Sequence, residues 1–122
     1  MIGYLTIGTN NLETAIAFYD SLLGAMGASK AFQTENLAAW GFGEGSTLLM
    51  VTKPFDGNSA TVGNGVMVAL SVASPEAVDT LHAKALELGA ANEGDPGFRG
   101  KGFYGAYFRD IDGNKLNFFC YT

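Results

Sequence analysis

Few side chains in this chain can do reactive chemistry. His82 is the only imidazole and Cys120 the only thiol among 122 residues. His82 sits between Leu81 and Ala83 in a helical pattern, where a partly exposed surface histidine is expected. Cys120 ends an apolar strand with no histidine near it in sequence, so it reads as a small apolar filler rather than an activated nucleophile. Asp110 and Asp112 have a spacing that can serve acid–base or calcium chemistry. They flank a tight turn through Asp112-Gly113 and lack the further ligands of a calcium loop, so they read as structural. Arg99 lies in Gly97-Phe98-Arg99-Gly100-Lys101-Gly102. It can meet an anionic group or stay solvated, and the stretch lacks the GxxxxGK[ST] pattern of a phosphate loop. Aromatic, thioether and amide groups remain. Tyr4 can donate a hydrogen bond or act as a general acid, and Asn117 can orient a carbonyl. These two are the catalytic candidates.

Hydrophobic periodicity says which elements must hold them. Residues Ile2 to Thr9 alternate as a strand, with Leu5 and Ile7 on one face and Tyr4, Thr6 and Gly8 on the other. Asn10 or Asn11 then caps a helix carrying Leu12, Ala15, Phe18, Tyr19, Leu22 and Leu23, which ends at Gly24 or Gly27. Strands follow over Ser29–Thr34, Leu37–Phe42 and Thr47–Thr52. After a linker over 53–65, Val66–Ala73 is a strand and Ser74-Pro75-Glu76 opens a second helix that stops at Gly89. A weak strand over Ala90–Glu93, a glycine-rich loop over Gly94–Gly102 and strands over Phe103–Arg109 and Lys115–Cys120 complete the chain. On the last strand Leu116 and Phe118 belong to the core, which turns Asn117 and Phe119 to the other face. Tyr104 and Tyr107 point to opposite faces, so only one of them joins a given site.

The two halves repeat. A shift of 63 residues sets Asn11 on Ser74, Leu5 on Val68, Ile7 on Leu70, Phe18 on Leu81 and Leu23 on Leu86. Such a repeat suggests two similar modules that complete one structure, here module one over 1–52 and module two over 66–122. The length suits a single domain.

Composition narrows the class further. An apolar share of 48% with 16% charged residues is that of a globular chain, and 17 glycines against three prolines imply many tight turns. Net charge is −5 and the seven basic residues are scattered. No basic stripe exists for nucleic acid. No apolar run approaches the roughly 20 residues of a membrane span, and the first residues lack the pattern of a secretory signal. One cysteine excludes an internal disulfide, so a cytoplasmic setting is expected.

The opening Tyr4-Leu5-Thr6-Ile7-Gly8, the helix with Ala17-Phe18-Tyr19, the Ser74-Pro75-Glu76-Ala77-Val78 junction and the closing Tyr107-Phe108-Arg109-Asp110-Ile111-Asp112-Gly113-Asn114-Lys115-Leu116 resemble vicinal oxygen chelate proteins. That is the glyoxalase, bleomycin-resistance and dioxygenase superfamily, and the likeness spans nearly the whole chain. It implies an α+β fold of two βαβββ modules forming a cupped mixed sheet with helices outside, and a homodimer. In that cup the candidate ligand-binding set is Tyr4, Trp40, Met50, Met67, Tyr107, Asn117 and Phe119, with Arg99 at its mouth, an apolar and aromatic surface carrying a few polar groups. In many members one divalent metal, held by His and Glu at equivalent strand positions, polarises two substrate oxygens. Here those positions fall at Tyr4, Met50, Met67 and Asn117, which make no ordinary site for zinc, nickel, manganese or iron. No metal and no other cofactor is therefore expected. The resemblance leaves three readings. The chain binds a small organic molecule in the cavity without metal, or it is a lyase or isomerase of glyoxalase type with a non-standard site, or it is a ligand-free structural dimer.

Overall fold

A computed structural model describes residues 1–122. Its elements are β1 (Tyr4–Gly8), α1 (Leu12–Ala25), β2 (Ser29–Gln33), β3 (Leu37–Gly41), β4 (Leu48–Thr52), β5 (Val68–Ser71), α2 (Pro75–Glu87), β6 (Ala91–Phe98), β7 (Phe103–Arg109) and β8 (Lys115–Tyr121). They divide into two compact units, Met1–Val62 and Gly63–Thr122. Each unit is a βαβββ module. The sheets have orders β1-β4-β3-β2 and β5-β8-β7-β6, with one parallel pair, β1 with β4 or β5 with β8, and antiparallel pairs elsewhere. This is the α+β architecture expected from the sequence.

The helices start and stop by the same local chemistry in both units. The Asn11 side chain accepts from the Thr14 amide at 3.1 Å, and Ser74 Oγ accepts from the Ala77 amide at 3.2 Å. Each satisfies one amide that the first helical turn leaves unpaired. At the other end Gly27 and Gly89 adopt φ of +95° and +107°. Their left-handed turn lets the amides of Ala28 and Ala90 reach back to the carbonyls of Leu23 and Ala85. Gly24 does not stop α1, because only Gly27 has the positive φ that this reversal needs.

Each helix buries one stripe on its own sheet. From α1 this stripe is Ala15, Phe18, Tyr19, Leu22 and Leu23. They lie against the face that the strand register gives to Ile7, Ala38, Trp40, Leu49 and Val51. From α2 it is Val78, Leu81, His82 and Ala85, over the face carrying Val68, Ala106, Phe108, Leu116, Phe118 and Cys120. His82 is thus not the partly exposed surface residue expected: it is 2% exposed, and its Nε2–H donates to the Tyr107 carbonyl at 3.1 Å. It falls at i+4 from Val78 and i+1 from Leu81, on the inward stripe, and the strand carbonyl satisfies its polar edge.

β6 also departs from expectation. It runs through Phe98 into the segment expected to be loop, as the edge strand of its sheet with two register shifts. An edge strand tolerates Pro96, whose missing amide is not needed by a neighbour. Gly94 suits close approach: a Cβ there would lie 3.0 Å from the Tyr107 ring.

Candidate functional site

Strand pleating gives each sheet one face toward its helix and one face free of it. In the first unit the register places Tyr4, Thr6, Leu48, Met50, Leu37 and Ala39 on the helix-free face. Tyr4 is 62% exposed on the edge strand, while Met50 is buried beside its strand partners Thr6 and Ala39. Trp40 is not there. It pairs across the strands with Leu49 on the opposite face, packs 5.7 Å from the Tyr19 ring and donates its indole N–H to Asp20 of α1 at 2.9 Å. The same carboxylate meets Lys30 at 3.2 Å. Trp40 therefore pins α1 to its sheet, which corrects the expectation that it lines a ligand site.

In the second unit the helix-free face holds a denser set. Asn117 pairs with Ala69 on one side and Tyr107 on the other, and Phe119 with Ser71 and Gly105. The alternation also adds Lys115, Phe103 and Tyr121. Met67 lies just before β5 and is 40% exposed. Tyr104 turns to the other face, where its hydroxyl donates to Asp79 of α2 at 2.6 Å. That hydrogen bond to a carboxylate, with desolvation behind it, raises the phenol above its ordinary value near 10.

Tyr107 is the centre of this face. The Arg99 guanidinium lies 5.4 Å from the ring centroid and the Lys115 ammonium 5.5 Å from it, both within cation–π range. They arrive from different sides, Arg99 across β6 and Lys115 along β8. Arg99 is held by its own chain, donating to the Asp95 carbonyl at 2.6 Å. Glycines make the room: a Cβ on Gly97 would come within 3.1 Å of Arg99 Nη1, and one on Gly94 within 3.4 Å of Nη2. Neither cation has a carboxylate partner, whereas Lys30, Lys84 and Arg109 each do. Beyond Asn117, Phe103 stacks on Phe119 at 5.4 Å with the rings 8° from parallel. Gly105 permits this, because a Cβ there would come within 2.8 Å of the Phe103 ring.

Along β8, between Lys115 and Phe119 and opposite Tyr107, lies Asn117. It is fully buried, and its Oδ1 is the only buried side-chain oxygen or nitrogen in the chain without a hydrogen-bond partner. Its Nδ2 reaches only the Phe118 carbonyl, at 3.5 Å. Its strand neighbours Lys115 and Phe119 and its cross-strand neighbour Tyr107 are all half-buried. A buried amide oxygen left unpaired costs about 1–3 kcal/mol, which a donor brought by a ligand or water recovers.

Of the expected site residues, Arg99, Tyr107, Asn117 and Phe119 share this face; Tyr4 and Met50 share the corresponding face of the first unit. Lys115 and Phe103 were missed. Lys115 was readable from the β8 alternation that turned Asn117 and Phe119 away from the core, and Phe103 from its spacing of four residues from Tyr107 on β7.

No group of three or more His, Cys, Asp or Glu side chains in this chain is arranged to hold a metal ion. The family's ligand positions offer a phenol and a thioether in one unit and a thioether and an amide in the other. This donor set does not fit a divalent Lewis-acid centre. The paired acids are accounted for by the turn: Asp110 accepts from the amides of Asp112 and Asn114 and from the Asn114 side chain at 2.9–3.0 Å.

Comparison with known proteins agrees with this architecture. The model of the Glyoxalase/Bleomycin resistance protein/Dioxygenase superfamily matches residues 1–118. The chain belongs to that superfamily. A glyoxalase/bleomycin resistance protein from Albidiferax ferrireducens T118 is 34% identical, with a TM-score of 0.91 over 100% of this chain and 99% of that one. A hypothetical protein from S. aureus is 28% identical with a TM-score of 0.75, over 98% of this chain and 92% of that one. Lactoylglutathione lyase from Agrobacterium tumefaciens shares the fold at 18% identity and a TM-score of 0.73, over 98% and 92% of the two chains. No curated protein matches the sequence. No helix is long and apolar enough to cross a membrane.

Proposed function

We propose that this protein binds a small organic molecule on the helix-free face of the β5–β8 sheet, without the divalent metal used by many of its relatives. The single observation that carries this reading is the unpartnered Asn117 Oδ1, buried between a cation-flanked tyrosine and a stacked phenylalanine pair. A ligand donor would satisfy that oxygen, and the aromatic side chains give it apolar contact. The reading is binding rather than metal-assisted turnover, since the positions that would hold a Lewis acid carry Tyr4, Met50, Met67 and Asn117, a donor set that does not suit one.

Thermal unfolding across a chemically varied set of small molecules tests the proposal, because a ligand that prefers the native state raises the melting temperature. Some compounds should stabilise the wild type and not Asn117→Ala. A set that stabilises neither protein would refute the proposal.

We also propose that the working form is a homodimer. Strands β1 and β5 end their sheets, and Ile2, Tyr4, Leu5, Val66 and Met67 beside them are exposed, so each edge and its apolar neighbours call for cover. Light scattering should give twice the chain mass of 12.8 kDa; a monomer at micromolar concentration would contradict this.

A further inference from the structure

We infer that the molecule bound on this face is an organic acid with an aromatic or apolar tail and a hydrogen-bond donor between tail and carboxylate. This rests on the binding site proposed above and assigns the chemistry of its ligand. The order of groups along β8 carries it. Lys115, Asn117 and Phe119 point the same way at successive alternate positions, spanning roughly 13 Å at the rise of an extended strand. One end is cationic, the middle is a buried acceptor that lacks a donor, and the other end is aromatic.

The cationic end is free to take an anion. Lys115 marks that end with no carboxylate paired to it, and Arg99, also without one, lies across the Tyr107 ring on the β6 side, level with Tyr107 and Gly105. Two unpaired cations beside one ring form an electrostatic site that the rest of the chain, net charge −5, does not otherwise provide. Guanidinium and ammonium both make charge-assisted hydrogen bonds to a carboxylate, stronger than neutral ones. In the middle, Asn117 Oδ1 accepts only, so the ligand must present an N–H or O–H there. At the far end the parallel Phe103 and Phe119 rings offer a flat apolar surface. An acid without a tail leaves that surface unused, and a neutral molecule leaves the cations unmatched.

Hippurate has these three parts in this order: carboxylate, amide N–H and phenyl ring. Hippuramide is the same molecule with its charge removed. Calorimetric titration of both into the wild-type protein should show hippurate binding about tenfold or more tighter, the effect of one charge-assisted contact. Lys115→Gln should bring the ratio of hippurate to hippuramide affinity down toward one, and Arg99→Gln should lower the same ratio less, its guanidinium lying on the β6 side of Tyr107; a ratio unchanged in Lys115→Gln overturns the acid assignment. Equal affinity for the two compounds overturns the acid assignment and leaves the binding site standing. The assignment also falls if neither binds while other neutral molecules stabilise the protein. If no molecule stabilises it, the binding reading falls as well. Melting curves of the variants show that each is folded.

Discussion

The two sheets share strand order, helix caps and helix terminators, but the faces they turn away from their helices carry different chemistry. On the first sheet that face is Tyr4, Thr6, Leu48, Met50 and Ala39, and the register puts no lysine or arginine on it. On the second it is Tyr107 between two cations, the orphan Asn117 and the Phe103–Phe119 stack. Of the aromatic residues expected at a ligand site, Trp40 alone is spent on holding a helix, whereas Tyr4 of the first unit and Tyr107 and Phe119 of the second stay on the helix-free faces. A repeated module thus preserves its packing face, where each residue must fit its helix, and diverges on the face where fit is not demanded.

The largest expected effects strike the packing faces of both units alike. Phe118→Ala should cost about 3–5 kcal/mol and Leu22→Ala about 2–5 kcal/mol in urea unfolding, since both side chains are fully buried. A loss below about 1 kcal/mol in only one unit would break the equivalence of the cores.

Next comes the contrast between the aromatic residues. Trp40→Phe should destabilise by about 1 kcal/mol through loss of the hydrogen bond to Asp20, with ligand affinity unchanged. Tyr107→Ala should do the reverse, lowering affinity severalfold with a small change in midpoint, because its ring is half-buried on the helix-free face. Equal effects on affinity would mean the site is not confined to the second unit.

Smaller and symmetric losses are expected at the caps. Asn11→Ala and Ser74→Ala should each cost about 1 kcal/mol by thermal unfolding, as each removes one bond to a helix-start amide.

The smallest effect is a titration. Tyr104, bonded to Asp79, should lose its proton above its ordinary value near 10 in an ultraviolet titration, and Tyr104→Phe should remove that step. Because the folded value is raised, the stability from this pair is complete below the unfolded value near 10. It is lost as pH climbs through the folded one. A Tyr104 phenol titrating at its ordinary value near 10 would show that the bond is absent in solution.

What was legible in the sequence follows from where the pattern is strict. Leu116 and Phe118 alternate with Asn117 and Phe119, so the face of each was readable, and with it the separation of Tyr107 from Tyr104. β3 reads Leu37-Ala38-Ala39-Trp40-Gly41, apolar or small at every position, and nothing local says which way Trp40 points. Its face is set by pairing with Leu49, which the hydrophobic pattern did not reveal. His82 misled for a related reason. A polar residue in a helix is taken as outward, but a carbonyl on β7 was in place to receive its N–H.

Local chemistry therefore determined the elements, their caps, the repeat and the side of β8 on which Asn117 lies. These depend on residues within a few positions of one another. Tertiary structure alone decided that Arg99 folds back over Gly97 to Tyr107, that Lys115 meets the same ring, and that Asn117 Oδ1 is left without a donor. Each of these is a relation between different strands, and only the paired register brings such residues within reach.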